Sequence, residues 1–438
     1  RCWPAQRDPS LPSVMPPRHA IDTTAGPPRP GRARIALLLA ALAMFGPFAI
    51  DTMFPAFPAM AVALGVSELG IQQTLSVYLL AYASMALVHG PLSDRFGRRR
   101  IILVGTFVFA VASVGCALAP SLGWLLAFRA VQGVSAGVGL IVGRAIVRDL
   151  YDGPDAQRLM STVTMLFGIA PAIAPIIGGW IFGLAGWQAV FWFLCGFGLL
   201  LWVACLLGLP ETHGPERRRA LSVGLMVRHY AQMLGDRSFG WMSLAAAFNF
   251  SALFLYIAAA PAFVLRHLGL GTMDFGWFFV PTIAGMMLGA FTSGRLAGRA
   301  NPERSIGLAY GVMLAAGVGN VAYAVSAQPF ALPWAVLPIS ALAFAIAIAF
   351  PAITLLLLDR YPAHRGAASS LQSFISLVLN ALVAGLLAPW LGASPRALAL
   401  GALTLTVLGY LAWQMRPRPP RMRPLPDEPL PLANAGQH

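Results

Sequence analysis

One carboxylate stands alone in the apolar part of this sequence. Asp51 lies in Ala49-Ile-Asp51-Thr-Met-Phe-Pro55, and it is the only acid well inside any long apolar run of the chain. An ionised carboxylate away from water is costly, so it must face a cavity, pair with a cation or take up a proton. A group that gains and loses a proton there can couple proton movement to a change of conformation. Arg129, also inside an apolar run, is its natural partner. At about 1.5 Å per helical residue, Asp51 lies roughly 24 Å from one face of a bilayer and Arg129 roughly 10 Å from the other, so their depths match. The competing structural reading is a helix-end acid, with Pro55 and Pro58 ending the span early, and an arginine that merely braces two helices.

A second constellation, Gly90-Pro-Leu-Ser-Asp94-Arg95-Phe-Gly97-Arg98-Arg99, joins two apolar runs. Gly90 is expected to permit close helix approach and Gly97 a tight turn. Arg98, Arg99 and Arg100 anchor the loop at the polar surface. Asp94 can pair with Arg98 and lie near the N-terminus of the eleventh apolar helix, whose partial positive charge favours an acid. Pairs that form in one conformation and break in another describe a gate.

Small residues recur at Gly168, Pro171, Pro175, Gly178 and Gly179 in the fifth run and at Gly285 and Gly289 in the eighth. Such stripes let helices approach closely in lipid, so the two runs are expected to face each other. The remaining intramembrane polar and aromatic groups (Tyr78, Met165, Asn249, Phe250, Phe254, Tyr256, Asn320, Gln372 and Asn380) are expected to line a central cavity. An adaptable aromatic and methionine wall suits varied amphipathic ligands.

The elements that must position these groups follow from composition. Hydrophobic residues make up 58% of the chain and charged residues only 11%, whereas a soluble domain carries roughly 25% charged residues. Lipid must therefore surround most of the surface. Twelve runs satisfy the ~20-residue length of a membrane-crossing helix. They are 35–57, 72–92, 101–120, 122–147, 159–182, 188–209, 239–262, 274–297, 305–326, 333–358, 367–390 and 396–415. They are continuously apolar, without the alternation of barrel strands. The expected architecture is an all-α membrane protein.

All 30 basic residues counted as Lys+Arg are arginine, and all except Arg129, Arg266 and Arg396 fall in the tails or in alternate loops. That asymmetry predicts both termini on the cytoplasmic side. It also turns the net charge of +14 towards anionic lipid rather than nucleic acid. The longest internal loop divides the chain into a six-helix bundle at 35–209, a linker at 210–238 and a second bundle at 239–415. Gly294-Arg-Leu-Ala-Gly-Arg299, after the eighth run, is a faded copy of the first loop, as expected of a duplicated transporter. Residues 1–34 and 416–438 read as disordered cytoplasmic tails, with Met15 a candidate true start. Cys2, Cys116, Cys195 and Cys205 read as inert thiols, because no Cys-x-x-Cys occurs. No metal site, P-loop or nucleophile–base pattern is placed to work, so neither ATP nor enzymic chemistry is expected.

The loop Gly90, Asp94, Arg95, Gly97, Arg98, Arg99 resembles the signature of the major facilitator superfamily. Further segments resemble its bicyclomycin/chloramphenicol-resistance (Bcr/CflA) branch of drug exporters: Ala49–Pro58, Arg129-Ala-Val-Gln-Gly133, Arg144-Ala-Ile-Val-Arg-Asp149, Ala170–Gly179, Leu209-Pro-Glu-Thr212 and Tyr256–Phe263. The fifth-helix element departs from the antiporter pattern, with Ala170 or Ala174 at a usual glycine and Pro171 and Pro175 in place of one proline. The resemblance implies twelve helices in two pseudo-symmetric bundles and a role for Arg129 in proton coupling. It also implies that Asp149 accepts Arg98 in the gate. The expected activity is drug/proton antiport at the bacterial inner membrane, by a monomer that uses a proton gradient and no cofactor. Transport of an endogenous metabolite is the alternative, and a membrane-embedded enzyme or transporter-like sensor is the reading from a different class.

Overall fold

A chain in lipid must satisfy its backbone polar groups internally, and long apolar runs do so as helices. The computed structural model describes residues 32–151, 153–217, 223–296, 299–326 and 330–417, and every regular element among them is helical. Most of the two tails, and residues 218–222 of the linker, lie outside the described residues.

Helix α1 spans Arg34–Ala63. Helix α2 spans Glu68–Ala86 and continues through a 51° bend into His89–Phe96. Helices α3 and α4 span Arg98–Ala117 and Leu122–Leu150. The stretch Gly153–Gly208 holds two spans, broken at Gly186, where φ is 81°, a left-handed value that glycine adopts without strain. These spans are α5 (153–185) and α6 (187–208). In the second half come α7 (Arg237–Ala258), α8 (Gly276–Leu296), α9 (Pro302–Ser326), α10 (Leu337–Asp359), α11 (Arg365–Leu391) and α12 (Pro395–Met415). The result is twelve spans in two six-helix bundles. Side chains that bond the free amides of the first turn set several starts. Ser67 accepts from Gly70, Ser121 from Trp124, Asp236 from Ser238 and Ser394 from Ala397. A separate helix, Val223–Gly235, lies between the halves.

Within the first half, α1 packs on α3, α4 and α6. Phe45 meets Phe109 at 4.0 Å between ring centroids, and Phe48 stacks on Phe197 at 5.2 Å. The α1 and α4 backbones touch at Gly139, where an added Cβ would lie 2.0 Å from the Leu42 carbonyl. Leu200, Leu207, Trp180, Trp192, Leu288, Phe291 and Trp390 remain on the outside of the bundle, as a lipid-facing surface requires.

Two seams join the halves: α2 against α11, and α5 against α8. A shift of six helices turns α2 into α8 and α5 into α11, so the internal repeat makes these the same seam used twice. Both are closed at the arginine-poor end. Gln73 Nε2 donates to the Gly385 carbonyl at 2.9 Å, and Ser76 Oγ donates to that of Ala381 at 2.8 Å. Phe54 stacks across on Phe279 at 6.3 Å, and Arg266 pairs with Glu68 at 2.6 Å. At the arginine-rich end the halves part around a cavity of about 580 Å³, and the Val223–Gly235 helix lies along its mouth with Leu225, Met226, His229 and Tyr230 facing in.

Helices α5 and α8 face each other as the stripes suggest, but only part of each stripe lies at that contact. Gly179 does approach the second half, 2.3 Å from the Thr272 carbonyl when given a Cβ, but its neighbour Gly178 faces Thr52 of α1. Gly285 and Gly289 turn away from α5 and press on the Ser340 and Phe344 carbonyls of α10. This is the counterpart of Gly133 of α4 lying against the Tyr78 carbonyl of α2. Gly168 has open space beside it. Periodicity marks a face for close packing but does not name the partner.

Candidate functional site

Asp51 sits where α1 loosens. A regular helix ends at Asp51, a 3-10 turn follows at Phe54–Ala56, and helix resumes at Phe57–Ala63. Pro55 and Pro58 reshape the span without ending it, and beyond Asp51 the chain climbs on for ~18 Å. Asp51 is therefore an interior residue, only 3% exposed, and it forms no ion pair among the described residues.

Arg129 of α4 is fully buried. Its expected partner was the Asp51 carboxylate, but the guanidinium is taken up elsewhere. One terminal nitrogen donates to the Ala49 carbonyl at 3.0 Å and to Gln132 Oε1 at 2.7 Å. Nε donates to the Thr74 carbonyl at 3.3 Å, and the Tyr78 ring lies 4.4 Å beneath. Gln132 is in turn held, donating to Ser113 Oγ at 2.7 Å. The second terminal nitrogen has no acceptor among the described residues, and neither has the Tyr78 hydroxyl. The arginine thus ties together α1, α2 and α4, reaching α1 two residues before the carboxyl.

The gate loop is built around Arg98. Gly97, with φ at 96°, turns the chain into α3. Arg98 pairs with Asp94 and, at 3.1 Å, with Asp149 of α4. It also donates to Ser93 Oγ at 2.5 Å. Glu211 and Thr212, which sequence reasoning did not place in the gate, complete the cluster. The Glu211 carboxylate accepts the Arg98 amide at 2.9 Å, so it caps α3. Thr212 donates to Asp149 at 2.9 Å. Arg99 reaches the Leu206 carbonyl at 2.7 Å, and Arg95 lies over the Phe96 ring. One expectation needs correction: Gly90 has open space beside it and lines the cavity rather than bringing helices together. Asp94 pairs with Arg98 and lines the same cavity as the first turns of α11, where no side chain caps the helix.

The polar set expected to line a central cavity is mostly paired within the bundle. Asn320 donates to the Tyr256 hydroxyl at 2.7 Å, Ser251 to Asn380 at 2.8 Å, and Gln372 to Thr354 at 2.8 Å. Phe250 packs between Phe254 and Phe350 at 6.2 and 6.1 Å. Asn249 alone of the second-half amides keeps both amide atoms buried and unpartnered. None of these residues lines the 580 Å³ cavity or a smaller one of about 310 Å³ beside Glu68 and Arg266. The Met165 side chain lies outside the described residues.

Two six-helix bundles around a polar seam are the frame of a membrane transporter, and the chain belongs to the Major Facilitator Superfamily, whose model matches residues 37–384. Its cargo is therefore small molecules. It is similar to the bicyclomycin resistance protein homolog of Haemophilus influenzae, with 29% identity covering 85% of this chain and 94% of that one. It is also similar to the MFS-type transporter YdgK of Bacillus subtilis, with 33% identity covering 87% and 96%. Among solved structures, a bacterial homologue of the human lysosomal transporter Spinster, inward-facing and occupied, superposes with a TM-score of 0.66 at 18% identity, covering 87% and 95%.

Proposed function

We propose that the chain is a proton-driven exporter of small amphipathic drugs, working as a monomer in a bacterial inner membrane by drug/proton antiport. The observation that carries this reading is Asp51, a carboxyl buried in mid-span with no ion-pair partner among the described residues. Such a group holds a proton when sealed from water and gives it up when water or a cation reaches it. Arg129 bonds the Ala49 carbonyl, so proton loss at Asp51 is felt two residues away by a charge that also grips α2 and α4. That is a local event with leverage on three helices.

The arginine-rich end is assigned to the cytoplasm, with both termini there. The described arrangement is then inward-facing, with the outer seams closed and a cavity open between the halves at the inner side. In the outward-facing state the Arg98, Asp94 and Asp149 cluster would close against the second half, in keeping with rocking of two rigid bundles. The similarity to a bicyclomycin resistance protein makes bicyclomycin the first substrate to try. In everted vesicles carrying the protein, adding bicyclomycin to an established gradient should release protons, and an uncoupler should abolish the response. Drug accumulation indifferent to the uncoupler would refute proton coupling.

A further inference from the structure

The cavity at the arginine-rich end has an unbalanced wall. Arg98, Arg144 and Arg148 line it, as do Asp94 and Asp149. Both carboxylates are committed to Arg98, and Asp149 also accepts from Thr212. Arg144 and Arg148 have no ion pair or hydrogen bond among the described residues. They stand at i and i+4 on α4, so their side chains share one face, and each raises the cost of charge on the other. Orientation in the membrane requires only that arginines be on this side. It does not require two of them to point into a cleft between the bundles, away from lipid headgroups.

The opposite wall carries no acid. It is the first two turns of α11, with Gly366, Ser369, Ser370 and Ser373 facing the cavity. No side chain caps that terminus, so the positive end of the helix dipole lies on this wall. Tyr82, Leu140, Ile141 and Leu377 give the same cavity an apolar floor. His229 and Tyr230 approach from the Val223–Gly235 helix. Two guanidiniums with no ion pair among the described residues, a row of hydroxyls, a helix N-terminus and an apolar floor form a receptor for a negatively charged head on an apolar body.

We propose that this cavity binds an anionic amphiphile through its carboxylate or phosphate, with Arg144 and Arg148 as the charged ligands and the start of α11 as the facing donor wall. The inference rests on the exporter reading only for the consequence that acidic amphiphiles are cargo, since binding needs no gradient. The same head chemistry could come from a free acid or from an anionic lipid.

The test uses the full chain in phosphatidylcholine nanodiscs with no pH gradient, titrated with 2-naphthoate, 2-naphthamide and 2-naphthylmethylamine. Naphthoate should bind at least about tenfold more tightly than the other two, the gain expected from one charge-assisted contact. Arg144→Gln and Arg148→Gln should each remove about that factor, while Arg144→Lys keeps part of it. Short-chain phosphatidylglycerol identifies the source. Displacement of naphthoate by the lipid at lower concentration than by free acids makes a headgroup the occupant, and failure to displace it makes the occupant a soluble acid; either supports the anion site. Equal affinity for the three naphthyl probes on the unmodified protein, or naphthoate binding unchanged in both Gln variants, overturns it. Because no gradient is applied, this result and the export assay can fail independently.

Discussion

Arg129 donates to the carbonyl of Ala49 at 3.0 Å, two residues before Asp51, instead of pairing with the Asp51 carboxylate. A salt bridge would hold the acid ionised and silent. A bond to the neighbouring backbone leaves the carboxyl free to bind a proton while keeping the arginine close enough to respond. The Tyr78 ring lies 4.4 Å beneath the same guanidinium.

That arrangement makes Arg129 structural as well as functional. Arg129→Ala leaves the Ala49 and Thr74 carbonyls and Gln132 Oε1 buried without this donor, which should cost about 2–4 kcal/mol. Arg129→Lys should lose less but still weaken coupling, because a compact ammonium lacks the planar fork that spans these separated acceptors. Thermal unfolding of the purified variants ranks the three proteins. An alanine variant as stable as the original would exclude the bracing role.

The closed end makes a prediction about conformational cycling. Glu68 and Arg266 pair across the two halves on the exposed rim, 2.6 Å apart. Replacing both with cysteine and bridging them with a short bifunctional maleimide should hold the seam shut. Export should stop, while binding at the opposite end persists. Undiminished export after complete bridging would mean that the halves do not separate there.

Gly97 and Glu211 act as one device at the start of α3. An added Cβ at Gly97 would lie 2.4 Å from Glu211 Oε2, and the residue holds φ at 96°. Gly97→Ala should therefore cost about 1–2 kcal/mol from backbone strain alone. Glu211→Gln, which keeps an acceptor but drops the charge, should cost about 0.5–1 kcal/mol. Both should lower export by loosening Arg98. Stability and transport in the paired variants check this, and two neutral substitutions would remove Glu211 from the gate.

Much of this architecture is legible in the sequence because lipid imposes simple rules. Twelve apolar runs give twelve spans, and a lone acid within them is conspicuous. What the sequence does not carry is direction. The stripe at Gly285 and Gly289 reads as a packing face towards α5, yet its close approach goes to α10. The bonds of Arg129 to backbone carbonyls are equally hidden, since every residue has a carbonyl and none is distinguished by its side chain. Polar residues such as Asn320 and Tyr256 look like cavity lining until each is seen to satisfy the other. Glu211 is likewise hidden, because a cap for α3 that comes from beyond α6 leaves no local spacing signal.

The measurement that bears most directly on the account is proton flux in everted vesicles carrying Asp51→Asn, with thermal unfolding confirming that the variant is folded. The neutral amide should abolish bicyclomycin-induced proton release and gradient-driven accumulation together. Full proton-driven export by the folded variant would contradict the assignment of Asp51 as the coupling group.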